Sequence, residues 1–361
     1  MALDELGAVH VRERTRSGLG PEASGVGFRI GGPKPYTSSV VALTTISGDQ
    51  LAELAREFAL GEVRALHPIA AGTINSNFEV ECARGRFFLR VNEGKREGDV
   101  AWEAWLVGEL ARRGVKTPPP REARDGRPYA RLPGEDKWVS VFLWRDGAHL
   151  AEVTIEHARA FGGALARLHV AGLALGNARA SIYDHAHLVA RYRGFERSND
   201  PALARAIAIL GEELAEAERA TPVRAAATHG IIHGDLFRDN VLWVGDDISA
   251  ILDFEQASGG SLAYDLAVCV NDWCWDERAA LPRADLARAL LAGYESQREL
   301  PDLDRAALPI EIRAAAARFT ITRITDVYLA SRPNPAKDFR AFLARVESWR
   351  GPALGQVTSK R

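Results

Sequence analysis

The sequence predicts an α+β chain of two lobes, a small β-rich lobe ahead of a larger, mostly helical one. Three observations carry this. Three β-prone runs lie within residues 63–92, more strand follows up to residue 143, and long Ala/Leu/Arg/Glu-rich stretches fill 201–220, 283–298 and 308–330. A chain of 361 residues suffices for two packed units of ordinary size. The boundaries are expected at 1–46 for a flexible N-terminal tail, 47–144 for the first lobe and 145–361 for the second.

The tail is expected because residues 1–46 are rich in Gly, Ser, Pro and charge and keep no period of 3.6 or 2. Ser47 then has the chemistry of an N-cap for a helix through Gln50 to Phe58. Val63 to Ala71, Asn77 to Cys82 and Arg86 to Asn92 read as strands, the last two joined at Arg84-Gly85. Asp99 is the expected cap of a helix through Trp102 and Trp105 to Arg112, ended by Gly114 and the prolines at 118–120. Strands are expected around Pro128 to Leu132 and at Trp138 to Leu143. Beyond Asp146-Gly147, Thr154 caps a helix whose Phe161, Leu165 and Leu168 form one apolar stripe. A β-rich lobe joined to a helical one leaves a cleft between them, where ligands usually bind.

Composition narrows the function. Hydrophobic residues make up 47% and charged residues 26%, the balance of a globular protein. A net charge of −2 gives no general pull toward phosphate backbones or anionic lipid, so no nucleic-acid partner is expected. No apolar run approaches the roughly 20 residues that span a bilayer, and no membrane role is expected. Three cysteines, Cys82, Cys269 and Cys274, make no disulfide framework and suit a reducing, cytoplasmic compartment. Oligomeric state leaves no mark.

The chemistry is concentrated between His229 and Phe254. Val241 to Val244 and Ile248 to Asp253 are β-prone runs joined by Gly245-Asp246-Asp247, which predicts a hairpin. Its outer ends bring Asn240 and Asp253 together, and Asp235 lies five residues ahead of Asn240 in the loop that feeds it. Phosphoryl transfer asks for this set. One carboxylate takes the proton of the attacking hydroxyl, and hard oxygen ligands hold Mg²⁺ against the phosphates. The spacing H-x-D-x-x-x-x-N followed by a strand-borne D-F matches kinase-type catalytic loops. Asp235 is thus the candidate base, Asn240 and Asp253 the candidate metal ligands, and His233 a catalytic-loop residue that braces by hydrogen bonding. Isolated Asp and Asn in turns usually cap locally, but four polar residues bracketing one hairpin outweigh that. A zinc site at His229 and His233 is the lesser reading, because they precede a strand rather than lie on a long helix.

The first lobe should grip the nucleotide. Residues 72–77, with Gly72, Asn75, Ser76 and Asn77, offer a turn of backbone N–H groups and short polar side chains for phosphates. In the strand at 86–92, Phe87, Leu89 and Val91 share one face and Arg90 points to the other, toward the cleft. Glu103 on the next helix can pair with Arg90 and hold it against the α- and β-phosphates. Trp138 to Leu143 with Arg145-Asp146-Gly147 is the candidate hinge under the adenine.

The runs I-H-G-D-L-F-R-D-N-V-L-W and I-L-D-F-E, with Tyr264-Asp265 and Asn271-Asp272-Trp273-Cys274, resemble the aminoglycoside phosphotransferase and choline kinase superfamily, most closely its type II homoserine kinases. Supporting stretches are 74–78, 89–93 and 317–332, and the likeness runs from about residue 50 to 350. The resemblance implies a bilobal protein-kinase-like fold, ATP in the cleft, Asp235 as base, Asn240 and Asp253 on Mg²⁺, and Asp265 supporting the catalytic loop. It also implies a small-molecule hydroxyl acceptor, L-homoserine first, with Asn271 to Cys274 near the acceptor pocket. One departure stands out: kinase-like proteins often carry Lys where this chain has Arg90, and the two differ in geometry. The other readings are another alcohol acceptor on the same fold, such as an aminoglycoside, a choline-like amine or a sugar, and a non-catalytic nucleotide-binding scaffold. The presence of Asp235, Asn240 and Asp253 together weighs against the scaffold.

Overall fold

A computed structural model describes residues 44–69, 75–176, 178–331 and 334–358, all within one compact unit running from Ser38 to Arg361. The expected tail therefore lies outside the described residues, apart from 44–46.

The small lobe begins with α1 (Gly48–Glu57). Ser47 Oγ accepts from the Gln50 N–H, and the Gln50 side chain reaches back to the Ser47 N–H, a reciprocal cap that fixes the helix start. Strands β1 (Val63–Ile69), β2 (Ser76–Cys82) and β3 (Gly85–Asn92) form an antiparallel meander. Helix α2 (Glu97–Arg112) follows, and then β4 (Ala130–Arg131) and β5 (Trp138–Leu143) complete the sheet in the order β1-β2-β3-β5-β4. Phe78, Val80, Leu89, Val91 and Val141 bury one face with Leu54 and Phe58 of α1. Asp99 does not cap α2. The helix starts at Glu97 behind Arg96, so Asp99 falls in the first turn, where its carboxylate meets Arg96 and Arg179 and favours the positive helix end.

The large lobe opens with α3 (Ile155–Leu175), capped by Thr154 as expected. Helices α4 (His185–Arg193), α5 (Ala204–Arg219) and α6 (Thr221–Ala226) follow. Strand β6 (His229–Ile232) leads to the hairpin β7 (Val241–Val244) and β8 (Asp247–Ile251), then β9 (Ser258–Ser261), which pairs back with β6. The rest is α7 (Leu262–Trp273), the two-residue ribbon β10 (Trp275–Asp276) and β11 (Leu281–Pro282), α8 (Ala284–Glu295), α9 (Asp302–Arg323), α10 (Phe339–Trp349) and α11 (Ala353–Thr358).

One core holds these helices, with Phe161 of α3 stacked on Trp273 of α7 at 3.8 Å and 6°. Helices α3 and α8 cross backbone to backbone. A Cβ on Gly162 would lie 2.0 Å from the Leu290 carbonyl oxygen, and one on Gly293 would lie 1.9 Å from that of Arg159. Only residues without a side chain permit this approach. Helix α9 begins six residues before the sequence expectation and keeps Pro309 inside it, while the helix proper stops at Arg323 and a single wider turn covers Ile324–Tyr328. Among the described residues no helix is long and apolar enough to cross a membrane.

Candidate active site

The loop between β6 and β7 is clamped from beneath. Asp265 of α7, 0% exposed, accepts from the backbone N–H of His233 at 2.8 Å and of Gly234 at 2.8 Å. It also receives His169 Nε2 of α3 at 3.1 Å, whose Nδ1 meets the Tyr294 hydroxyl of α8 at 2.8 Å. Burial works against the Asp265 charge, but the His169 and His233 bonds and fields override it and hold the carboxyl below its ordinary pKa. Gly234 has φ +77, a conformation that favours glycine, and turns the chain so that Asp235 emerges with a third of its side chain exposed.

His233 is fully buried and does not face solvent. Its Nε2 lies 2.9 Å from the Leu252 carbonyl, which can only accept, so Nε2 carries the proton. This bond ties the loop to the end of β8. Asn240 Nδ2 donates to the Asp235 carbonyl at 2.7 Å, and the Leu252 N–H donates to the Asn240 carbonyl at 2.9 Å. Strand β8 ends at Ile251, short of the predicted Asp253. Asp253 leaves the ladder in the left-handed region, φ 61 and ψ 67, which a non-glycine residue adopts at a cost of about 1 kcal/mol. The strained turn directs Asp253 into the cleft rather than along the sheet.

Across the cleft, Arg90 Nη1 lies 3.1 Å from Glu103 Oε1 and 3.2 Å from Asp253 Oδ1, and Arg90 Nε is 3.3 Å from Asn77 Oδ1. Burial opposes the Arg90 charge, yet Asp253, Glu103 and Glu255 outweigh it and raise its pKa. Desolvation likewise opposes the Asp253 charge, but Arg90, His233 and Lys95 lower its pKa on balance. Lys95, which no motif marks, joins them together with Glu255 and Asn75. Lys95 Nζ sits 3.1 Å from Glu103 Oε2 and 3.2 Å from Glu255 Oε1, with 14% of its side chain exposed. Asn75 Nδ2 donates to Glu255 Oε2 at 2.9 Å. The cleft floor is therefore a charge network of Arg90, Lys95, Glu103, Asp253 and Glu255 that crosses between the lobes.

Not every expected nucleotide contact gathers there. Gly72 lies outside the described residues. Ser76 is 2% exposed, shares the face of β2 with Phe78 and Val80, and is held by Thr44 and Glu93 away from the cleft. Asn77 pairs across β3 with Arg90 and faces the network. Among the acidic residues near α7, Asp272 accepts from the Arg238 N–H at 2.7 Å, Asp276 caps the Arg278 and Ala279 N–H groups, and Glu277 pairs with Arg345. Cys269 and Cys274 are buried free thiols, raised in pKa by burial, and Cys269 Sγ lies 3.6 Å from the Leu236 carbonyl.

The donor set suits a hard divalent cation. Asp253 offers a carboxylate, and the Asn240 amide, with its NH₂ committed to the Asp235 carbonyl, leaves its Oδ1 to a cation. A small β-rich lobe joined to a helical one, a buried network of paired charges between them and a clamped loop presenting one carboxylate define a kinase-like phosphotransferase. The pattern of the phosphotransferase enzyme family matches residues 65–302, and the chain belongs to that family. A homoserine kinase of Gluconacetobacter diazotrophicus is 38% identical over 287 residues, covering 78% of this chain and 88% of that one. Another from Afipia carboxidovorans is 36% identical over 291 residues, covering 78% and 86%. Among solved structures, an amicoumacin kinase in complex with AMP-PNP and Ca²⁺ superposes with a TM-score of 0.65 at 15% identity, over 83% of this chain and 92% of that one. That likeness speaks for the fold.

Proposed function

We propose that the protein is an ATP- and Mg²⁺-dependent kinase that phosphorylates the hydroxyl of L-homoserine to O-phospho-L-homoserine in the cytoplasm. The observation that carries the reading is the Asp235 carboxylate, presented on a loop that Asp265 and His233 clamp, with the Asn240 side chain bonded to the Asp235 carbonyl and Asp253 held by Arg90. The 38% identity to a homoserine kinase supports the choice of acceptor.

Asp235 accepts the proton of the acceptor hydroxyl as its oxygen attacks the γ-phosphorus. The new P–O bond forms, the bond to the β-phosphate oxygen breaks, and ADP leaves. Asn240 and Asp253 would hold Mg²⁺, which when bound offsets charge on the phosphate oxygens. Arg90 and Lys95, steered by Glu103, face the phosphates as fixed cations. His233 and Asp265 keep the loop in place and take no proton from substrate.

The test is ADP release with Mg-ATP against L-homoserine, L-serine, L-threonine, choline, an aminoglycoside and a hexosamine. Saturable turnover with L-homoserine alone supports the reading. Turnover of another alcohol alone keeps the phosphotransferase and discards homoserine, and ATP binding without turnover of any acceptor supports the scaffold.

A further inference from the structure

Two arginines of α9, Arg318 beside Asp235 and Arg323 further along, lack the forked carboxylate partner that other arginines of this lobe have. Arg224 grips Glu311 at 3.2 and 2.9 Å, and Arg313 grips Glu213 at 2.9 and 2.8 Å, each through two nitrogens. This fork is how a guanidinium is normally satisfied once it leaves water. Arg318 of α9 is different. It is 4% exposed, and its guanidinium lies 4.1 Å from the ring centre of Tyr183 and 3.8 Å from that of Phe319, which fix its plane. Its Nε is buried with no hydrogen-bond partner among the described residues. Its carboxylate neighbour is Asp235, one nitrogen at 3.5 Å, beyond a normal N–H···O distance.

Arg323, five residues on, sits over the Phe342 ring at 4.3 Å and donates to the Asp338 carbonyl at 3.1 Å rather than to a carboxylate. Burial and the nearby Arg345 pull its pKa down to about 10, against the opposing fields of Asp272 and Asp235. Phe237, two residues after the base, packs on Phe319 at 4.6 Å and on Phe342 at 5.7 Å, so this aromatic cluster joins both arginines to the catalytic loop. Asp235 gives up its charge as it takes the proton of the incoming hydroxyl, so it cannot neutralise Arg318 throughout the reaction.

We propose that Arg318, seconded by Arg323, is the subsite for a carboxylate on the acceptor, placed so that the same molecule's hydroxyl meets Asp235. The inference rests on the phosphotransferase reading above and extends it from one substrate to a class: short hydroxy acids are selected over amino alcohols of the same reach. A polycationic acceptor would meet repulsion at this point.

The experiment compares L-homoserine with 3-aminopropan-1-ol, which keeps the amine and hydroxyl and lacks the carboxylate. Full-length wild type, R318Q, R318K and R323Q are assayed with saturating Mg-ATP. Wild type should prefer homoserine. In R318Q the ratio of kcat/KM for homoserine to that for aminopropanol should fall roughly 10- to 100-fold, chiefly through the KM of homoserine, with partial recovery in R318K. An unchanged ratio, with both acceptors slowed equally, would place Arg318 in service of the base or the phosphates and overturn the proposal. So would a wild type indifferent to the carboxylate. If R318Q does not fold, R318K and R323Q must still shift the ratio. Failure of the homoserine reading shows separately, as wild-type turnover of a different panel alcohol. A carboxylate-free alcohol there sinks the inference too, whereas for a hydroxy acid R318Q must still raise KM.

Discussion

Replacing Asp265 by Asn tests whether the catalytic loop is held by a buried charge. The carboxylate accepts three hydrogen bonds, two from backbone N–H groups and one from His169, with no exposure to water. An amide keeps the shape but offers one acceptor oxygen. In its better orientation the new NH₂ faces the Gly234 N–H, leaving two buried donors opposed, at about 1–3 kcal/mol each. The expected loss is on the order of 2–5 kcal/mol, a large share of the roughly 5–15 kcal/mol that holds a typical protein together. Calorimetry should show a melting temperature lower by roughly 3–8 °C. Steady-state assays should show kcat down by about 10-fold or more, because Gly234 no longer fixes Asp235, with the KM for ATP little changed.

The pH dependence has a definite sign. A carboxyl with a lowered folded-state pKa contributes stability above its unfolded pKa, near 4, and loses it as pH falls through the folded value. The gap in melting temperature between wild type and D265N should therefore narrow as pH is taken from about 5 toward 3. An unaltered melting temperature and kcat at neutral pH would refute the argument, as would a gap that widens in acid.

Other substitutions separate the roles. Asp235→Ala should lower kcat by roughly 10²-fold or more and leave nucleotide affinity nearly intact, as single-turnover assays and ATP titration would show. Asp253→Ala should abolish Mg²⁺-dependent turnover, and near-normal activity would remove it from the metal site. Glu103→Gln leaves Arg90 and Lys95 without their shared carboxylate, so the KM for ATP should rise about 10-fold, read from initial rates at varied ATP.

Much of the arrangement was legible because it is local. The Ser47 and Thr154 caps, the alternation that turns Arg90 away from Phe87 and Leu89, and the loop-and-hairpin spacing each depend on residues close in sequence. What escaped depends on the chain meeting itself. Strand β9 reads Ser258-Gly259-Gly260-Ser261, with no hydrophobic alternation, and exists only because β6 lies alongside it. Lys95 carries no motif and matters because the lobes bring it to 3.2 Å from Glu255. Arg318 heads a stretch that resembles the family's C-terminal helices, but nothing in the sequence marks its burial between Tyr183 and Phe319, which comes from packing between α9 and the segment before α4. Ser76 reads as a phosphate contact from its place in a polar run, whereas the pleat of β2 decides which way it faces.

The crossing of α3 and α8 has a consequence for how the enzyme can be improved or allowed to drift. Glycine inside a helix ordinarily invites replacement by alanine, which gains about 0.5–1 kcal/mol of helix propensity. At Gly162 and Gly293 the same change forces a methyl group into a carbonyl oxygen and pries the helices apart. His169 lies two turns along α3 from Gly162, and Tyr294 follows Gly293 directly. A stabilisation campaign guided by propensity alone would thus detune the loop that presents Asp235, through two positions that touch no substrate.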